Sequence, residues 1–218
     1  MYNFVKKNVL LLVTYLVLLL AGFVPVLIYT KTDLHLFLNH LHSPFFDIFF
    51  RYSTILGSGI AAVSVCIILL FIRIRYSLIL FSAYASSGII VQLLKHIVFP
   101  GIDRPVEFFK TTAELYLVQG VEFHNHFSFP SGHAATALAI FSLLAIITKR
   151  KWLKLFFLLF AVIVSYSRVY LSQHFLEDIL FGSVLGILAV IIFYWYFHHL
   201  KIAWADHPVQ YYFRPEKQ

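Results

Sequence analysis

The chain is predicted to be an all-α, polytopic membrane protein, a bundle of six transmembrane helices, on three observations. Its mean hydropathy is +0.84, with 61% hydrophobic and 12% charged residues, whereas soluble proteins are roughly half apolar and a quarter charged. Six apolar stretches of near-spanning length follow one another, and basic residues gather on alternate sides of them. The 218 residues leave little beyond six spans of about 20 residues with their connections, so residues 1–218 read as a single membrane domain. A soluble enzyme, a disordered tail and a collagen-like chain are excluded, because 18% aromatic residues beside nine Gly and seven Pro fit none of them. The lone Cys66 lies in an apolar run and cannot form an intramolecular disulfide.

In chain order the apolar stretches run from about Val9 to Tyr29, Ile55 to Ile74, Leu78 to Phe99, Ser131 to Thr148, Leu153 to Leu171 and Ile179 to Phe197. Lys6 and Lys7 before the first give it the look of a signal peptide. It is too long for one, however, and no small-residue cleavage pattern surrounds Phe23 to Val26, so it reads as an uncleaved anchor. One side of the spans collects Lys6, Lys7, Arg73, Arg75, Lys149, Arg150, Lys151, Lys154, Lys201, Arg214 and Lys217, eleven of the seventeen basic residues. Lys31, Arg51, Lys95, Arg104, Lys110 and Arg168 fall on the other. The richer side is expected to be cytoplasmic, with both termini inside. Asp206 and Glu216 are the acidic residues on that side. The net charge of +7 is thereby assigned to topology, and no nucleic-acid partner is expected.

Two outer loops are long. Residues 31–54 carry Leu34, Leu36, Phe37, Leu41, Phe45, Phe46, Ile48 and Phe49 among His and Asp, which suits a helix in the membrane interface serving as a lid or anchor. Residues 100–130 mix Asp103, Glu107, Glu114 and Glu122 with Arg104, Lys110, His124 and His126, the most polar part of the chain. Solubility is the expected role of the acidic residues. His124 and His126 lack the companions that would complete a metal-ligand set, so no metal site is expected. The tail, residues 198–218, is polar and aromatic, without an anchor signal.

The chemistry-bearing residues converge on the outer ends of the spans. Lys95 closes the third, Arg104 follows, His133 opens the fourth, Arg168 nears the end of the fifth, and His174 with Asp178 leads into the sixth. Charges there are costly unless they face a wet cavity or a partner. Clustered Lys and Arg suit an anion such as phosphate, Arg with forked donors and Lys as a point charge. In Pro130-Ser131-Gly132-His133, proline ends any preceding helix, Ser131 is a favoured N-cap, and Gly132 lets a ligand approach the free amides of the first turn. The spacing of His174 and Asp178 puts both on one face if the sixth helix starts near them. The carboxylate would then fix the imidazole tautomer.

These residues, namely Lys95 with Arg104-Pro105, the PSGH run Pro130 to His133, and Ser167-Arg168 followed by His174 and Asp178, resemble the motifs of the type 2 phosphatidic acid phosphatase superfamily, a family of membrane lipid phosphatases. The second and third motifs match in order and spacing. In the first, eight residues separate Lys95 from Arg104 where the family usually has six, and a kink around Pro100-Gly101 is expected to absorb the difference. The resemblance implies that His174 attacks phosphorus to form a phosphohistidine while Asp178 orients it. His133 then acts as general acid, and Lys95, Arg104, Arg168, Ser131 and the Gly132 amide hold the phosphate oxygens. No metal or other cofactor enters that scheme.

The expected function is therefore hydrolysis of a lipid phosphate or pyrophosphate at the outer membrane face, in a bacterial cell the periplasmic face of the inner membrane. The partners are the bilayer and its phosphorylated lipids: undecaprenyl pyrophosphate, phosphatidylglycerol phosphate, phosphatidic acid or a lipid A phosphate. Phosphotransfer to another acceptor through the same intermediate is the alternative, and a non-enzymatic anion transporter is the rival outside catalysis. A haloperoxidase is disfavoured by so apolar a chain. Nothing in the sequence specifies an oligomeric state.

Overall fold

The structure is a computed structural model that describes residues 2–200 and 202–213. In chain order these form α1 (Tyr2–Ile28), α2 (Lys31–Asn39), α3 (Pro44–Ser53), α4 (Gly59–Ile72), α5 (Ile74–Leu93, continued by a π-helical turn Leu94–Val98), α6 (Pro105–Phe108), α7 (Gly132–Ile147), α8 (Lys151–Tyr170) and α9 (Leu176–His199). No strand occurs among the described residues. Every apolar stretch is helical, as it must be where a lipid solvent offers the backbone no hydrogen bonds. Starts are set locally. The hydroxyls of Thr30, Ser43, Ser58 and Ser131 each accept from the amide three residues on, at Asp33, Phe46, Ala61 and Ala134.

The span count is lower by length than the six apolar stretches suggest. Among the described residues four helices are long and apolar enough to cross a membrane: Phe4–Ile28, Ile74–Val98, Lys151–Tyr170 and Leu176–His199. A fifth arises if Pro44–Gly57 and Gly59–Ile72, bent by 58°, count as one broken span. The sixth stretch, α7, has only 16 residues, about 24 Å of helix against a hydrocarbon core of about 30 Å. Its place explains its length: α7 packs against α5, α8 and α9 and is buried along nearly its whole course. The expected single interfacial helix in 31–54 is two, α2 and α3, broken at the turn before Pro44. α3 exposes Phe45, Phe46, Ile48, Phe49 and Tyr52.

The closest packing is between α7 and α9. A Cβ at Gly182 or Gly186 would collide with the backbone carbonyl of Ser131 or Ala135, so two glycines four residues apart let the backbones touch, a small-residue seam common between membrane helices. α1 sits at the edge of the core, to which it gives the fully buried Leu11, and is also tied by polar contacts, Tyr15 to Ser183 at 2.9 Å and Asn8 to the Lys154 ammonium at 2.7 Å.

At the end of the bundle away from His174, Arg75 gathers the C-terminal end of α9. It bonds both carboxylate oxygens of Asp206 at 2.7 and 2.9 Å, the Leu200 and Ile202 carbonyls, and the Phe197 carbonyl. Its hydrogen bonds hold the Asp206 carboxyl below the usual range. The start of the polar tail is thus fastened to α5. Lys201, Arg214, Glu216 and Lys217 lie outside the described residues.

Gly186→Val is expected to overpack the α7–α9 seam and lower stability by about 1–3 kcal/mol. Gly88→Ala, where an added Cβ meets nothing within 4 Å, should be neutral or stabilising by up to about 1 kcal/mol. Thermal unfolding in detergent checks both, and equal effects would contradict the assigned packing.

Candidate active site

The residues singled out in the sequence come together at the N-terminal ends of α7 and α9. Lys95, Arg104, Ser131, Arg168, His174 and Asp178 are all buried, none more than 8% exposed, while Gly132 and His133 are half-buried. A left-handed Ser172 (φ 50°) turns the chain sharply after α8, so that the Arg168 carbonyl accepts from both the Gln173 and His174 amides, at 2.8 and 3.1 Å. That turn places the imidazole beside the guanidinium of a residue six positions earlier.

Asp178 is the polar hub. One carboxylate oxygen accepts from the Ser128 hydroxyl at 2.5 Å and the Phe175 amide at 3.0 Å, and lies 3.2 Å from His174 Nδ1. Its backbone carbonyl accepts from the Ser131 amide at 2.9 Å. The expected reason for the His174–Asp178 pairing needs correcting. α9 begins at Leu176, so His174 precedes the helix rather than sharing a face of it. The pair meets because Asp178, third residue of α9, folds back over the helix start, where a carboxylate also satisfies a free amide. With Nδ1 facing the carboxylate, Nε2 of His174 has no hydrogen-bond partner among the described residues.

The cations surround that ring. Arg104 donates Nε to the His126 carbonyl at 2.9 Å and Nη1 to the Gln173 backbone oxygen at 3.3 Å and side-chain oxygen at 3.4 Å. Arg168 donates to Thr54 Oγ1 at 2.8 Å and to the same Gln173 side-chain oxygen at 3.3 Å, and its buried Nε has no partner among the described residues. Lys95 arrives on the π-helical turn, and the turn after it carries Gly101 at φ +84°, so the longer connection to Arg104 is taken up in irregular backbone. Burial first, then the charges of Arg104, Lys95 and Arg168, hold His174 well below the usual histidine range. A neutral imidazole with a free nitrogen therefore faces three cations and one carboxylate, a site short of negative charge. His133 feels the same charges, and its backbone carbonyl is the atom a Cβ on Gly57 would strike.

Ser128, Gln173, Thr54 and Gly57 were not foreseen. Ser128 lies two residues before Pro130, and Gln173 immediately before His174; their nearness to the motifs was the available signal. The His126 ring does not join the cluster, although its carbonyl accepts from Arg104. His126 pairs with Asp103 at 2.7 Å on the loop surface. Over the site lies α2, whose buried His35 is packed by Phe109 and Phe175 with Nε2 3.3 Å from the Ser172 hydroxyl. Asn39 bonds the same hydroxyl at 3.1 Å and both backbone groups of Tyr116. Asp47 of α3 takes the hydroxyls of Tyr170 and Tyr116 at 2.6 and 2.7 Å. The segment 31–54 is therefore a lid stitched to the turn that carries His174.

Residues 76–202 match the family profile described as the PAP2 superfamily. The chain belongs to the PAP2 superfamily. It is 30% identical over 175 residues to the lipid A 4'-phosphatase of Bacteroides thetaiotaomicron, spanning 78% of this chain and 77% of that one. Among solved structures, Aquifex aeolicus LpxE superposes with a TM-score of 0.67 at 27% identity, over 76% of this chain and 94% of that one. A PAP2-type phosphatidylglycerolphosphate phosphatase from Bacillus subtilis shares the fold, with a TM-score of 0.65 at 22% identity over 93% and 99% of the two chains. This PAP2 protein is thus an all-helical integral membrane member of the family, and the His174–Asp178 hub lies within the matched segment.

Burial holds His35 down to about 4 from its ordinary 6.5. Its folded form prefers the neutral ring, so this stability is complete above pH 6.5 and is lost as pH falls through 6.5 towards 4, by about 3 kcal/mol. His174, also depressed, acts in the same direction. Unfolding midpoints measured from pH 7 to pH 4 should fall, and His35→Phe should flatten part of that slope; an unchanged slope would remove His35 from the account.

Proposed function

We propose that this PAP2 protein hydrolyses the phosphomonoester of an envelope lipid through a phosphohistidine on His174. One observation carries the reading: an imidazole backed at Nδ1 by a buried carboxylate presents a free Nε2 to three buried cations at the start of α7. Nε2 attacks phosphorus as the bond to the lipid oxygen breaks, and His133, protonated once the negative charge of the bound phosphate offsets the neighbouring cations, gives its proton to that leaving oxygen. His133 then takes a proton from the water that attacks phosphorus, the P–N bond breaks, and inorganic phosphate leaves. Asp178 keeps the Nδ1 tautomer and offsets the positive charge that forms on the ring.

Lys95, Arg104 and Arg168 hold the equatorial oxygens, where charge builds in phosphoryl transfer, together with the Ser131 hydroxyl and the Gly132 amide. Ser131 spends an acceptor lone pair on the Ala134 amide and keeps its proton for the substrate. The Gln173 side-chain oxygen spaces the two guanidiniums by receiving one bond from each, which keeps their free edges open to a phosphate. The scheme needs no metal, because the cations neutralise the transferring group.

Lipid A bearing a 4'-phosphate is the first substrate to test, since a relative with that activity matches this chain over most of both lengths. Six membrane crossings, with α7 as a short internal one and α4 as a short peripheral one, a single domain over residues 1–218 and both termini in the cytoplasm complete the proposal. The support is the basic excess opposite the site, which puts His174 at the outer face and, in a bacterium, in the periplasm.

His174→Ala should lower phosphate release from a lipid phosphate panel at least a thousandfold while leaving the unfolding midpoint within a few degrees. Turnover that survives in this variant would sink the nucleophile assignment, and transfer of labelled phosphate to an acceptor without release would mean a phosphotransferase. A reporter fused to the C-terminus should be active only in its cytoplasmic form; activity outside would reverse the orientation.

A further inference from the structure

A second charged site lies at the opposite end of the bundle. A cavity of about 630 Å³ opens between the start of α1, the end of α7 and the end of α9, lined among others by Lys7, Lys149, Lys154, Ile147 and Trp195. α9 runs from the candidate active site to this cavity, about 36 Å along its 24 residues, so a bilayer core separates the two.

The charges here are unbalanced in a way those nearby are not. Among the described residues no Asp or Glu lines the cavity and none of its three lysines is in an ion pair. Arg73 and Arg75, at the same end, both reach Asp206. Lys154 is 6% exposed and bonds only neutral oxygens, those of Asn8 at 2.7 Å, Ala145 at 2.8 Å and Ile146 at 3.4 Å. A buried ammonium without a counter-charge is expensive, and a nearby anion would offset the cost. His198 and His199 also border the cavity; each directs Nδ1 at a carbonyl of its own helix, which leaves Nε2 as its outward edge.

The rest of the lining is apolar or interfacial. Phe4, Ile146 and Ile147 contribute hydrocarbon, and Trp195 is the kind of residue that settles at headgroup depth. Beside it α1 exposes Val5 and Val9, a surface along which an acyl chain would lie. Basic pockets among membrane helices with this mixture of ammonium groups and apolar wall suit an acidic headgroup whose tails remain in lipid.

We propose that this cavity binds the phosphate headgroup of an anionic phospholipid from the leaflet opposite the candidate active site. Lys7 and Lys149, both exposed, supply the attraction, while Lys154 sets the local charge and holds the end of α7. The lipid staples α1, which has few core contacts, to α7 and α9. This assignment is independent of the reaction proposed above, and neither exposed lysine belongs to the His174 cluster.

The test uses the full chain purified in detergent, with the unfolding midpoint followed as phosphatidylglycerol, phosphatidylcholine or sodium phosphate is added, and native mass spectrometry counting retained lipid. Phosphatidylglycerol should raise the midpoint and remain bound, and the other two should not. Lys7→Gln with Lys149→Gln should bind it about thirtyfold more weakly, with an unchanged midpoint in phosphatidylcholine. Lys149→Glu alone, a change at an exposed position, should also lose the retained lipid. The proposal falls if the double variant keeps the full phosphatidylglycerol effect or if phosphatidylcholine matches it. It falls equally if sodium phosphate alone reproduces the rise, which would make the cavity a site for free anions.

Discussion

The Asp178 carboxylate and the carbonyl of the same residue together determine where everything else in the site can be. The side chain takes a hydroxyl from the loop before α7, an amide from the start of α9 and the imidazole of His174, while the backbone takes the amide of Ser131. The loop before α7 and the turn before α9, more than forty residues apart in sequence, are therefore both referenced to one residue. In a low-dielectric interior such a network is worth keeping only if nearly complete, and here one carboxylate oxygen carries three of the contacts while the other, Oδ1, has no partner among the described residues. The negative charge is consequently drawn towards His174 rather than towards a guanidinium, which leaves Arg104 and Arg168 to neutral acceptors. That division of partners keeps the cations unneutralised.

An apolar body holding three such cations must stabilise them by other means. Gln173 is central to this, because its side-chain oxygen receives both guanidiniums while its amide is fixed to the Glu122 carbonyl at 2.9 Å. Thr54 takes a further Arg168 proton. Neutral oxygens satisfy the donors without cancelling the charge, so the electrostatic demand for an anion survives folding. The lid serves the same end by closing His35 and Asn39 over the Ser172 turn, with His35 packed against Phe109 and Phe175, which lowers the local dielectric.

Much of this could be read from the sequence because it rests on composition and local rules. Helicity of the six apolar runs followed from the lack of backbone partners in lipid, and Ser131 as a cap from its residue type and place. The resemblance drew together Lys95, Arg104, the PSGH run, Arg168, His174 and Asp178, which lie close enough to bond or to feel one another's charge. What escaped depends on three-dimensional packing. α7 is short because neighbouring helices, not lipid, surround it, and no hydropathy window distinguishes those solvents. Gln173, Ser128 and Thr54 are ordinary polar residues whose importance arises only when two arginines or a carboxylate converge on them. The His174–Asp178 spacing suggested a helical face, yet the contact is made by a residue outside the helix, since Asp178 works as a cap as well as a partner.

The glycine seam between α7 and α9 has a consequence for how such a protein could diversify. Ser131, against which Gly182 lies, begins α7, and Asp178 is one turn above Gly182 on α9. Backbones in direct contact cannot slide or rotate without collision, because a single-residue slip turns a helix by about 100° and would bring a Cβ into the carbonyl row. The reacting end is thereby frozen relative to the bundle. Adaptation to a new headgroup must then occur in material that can be exchanged without touching the seam, namely the exposed faces of the α2–α3 hairpin and the stretch of the α5–α7 loop between Arg104 and Ser128, two residues that themselves belong to the site.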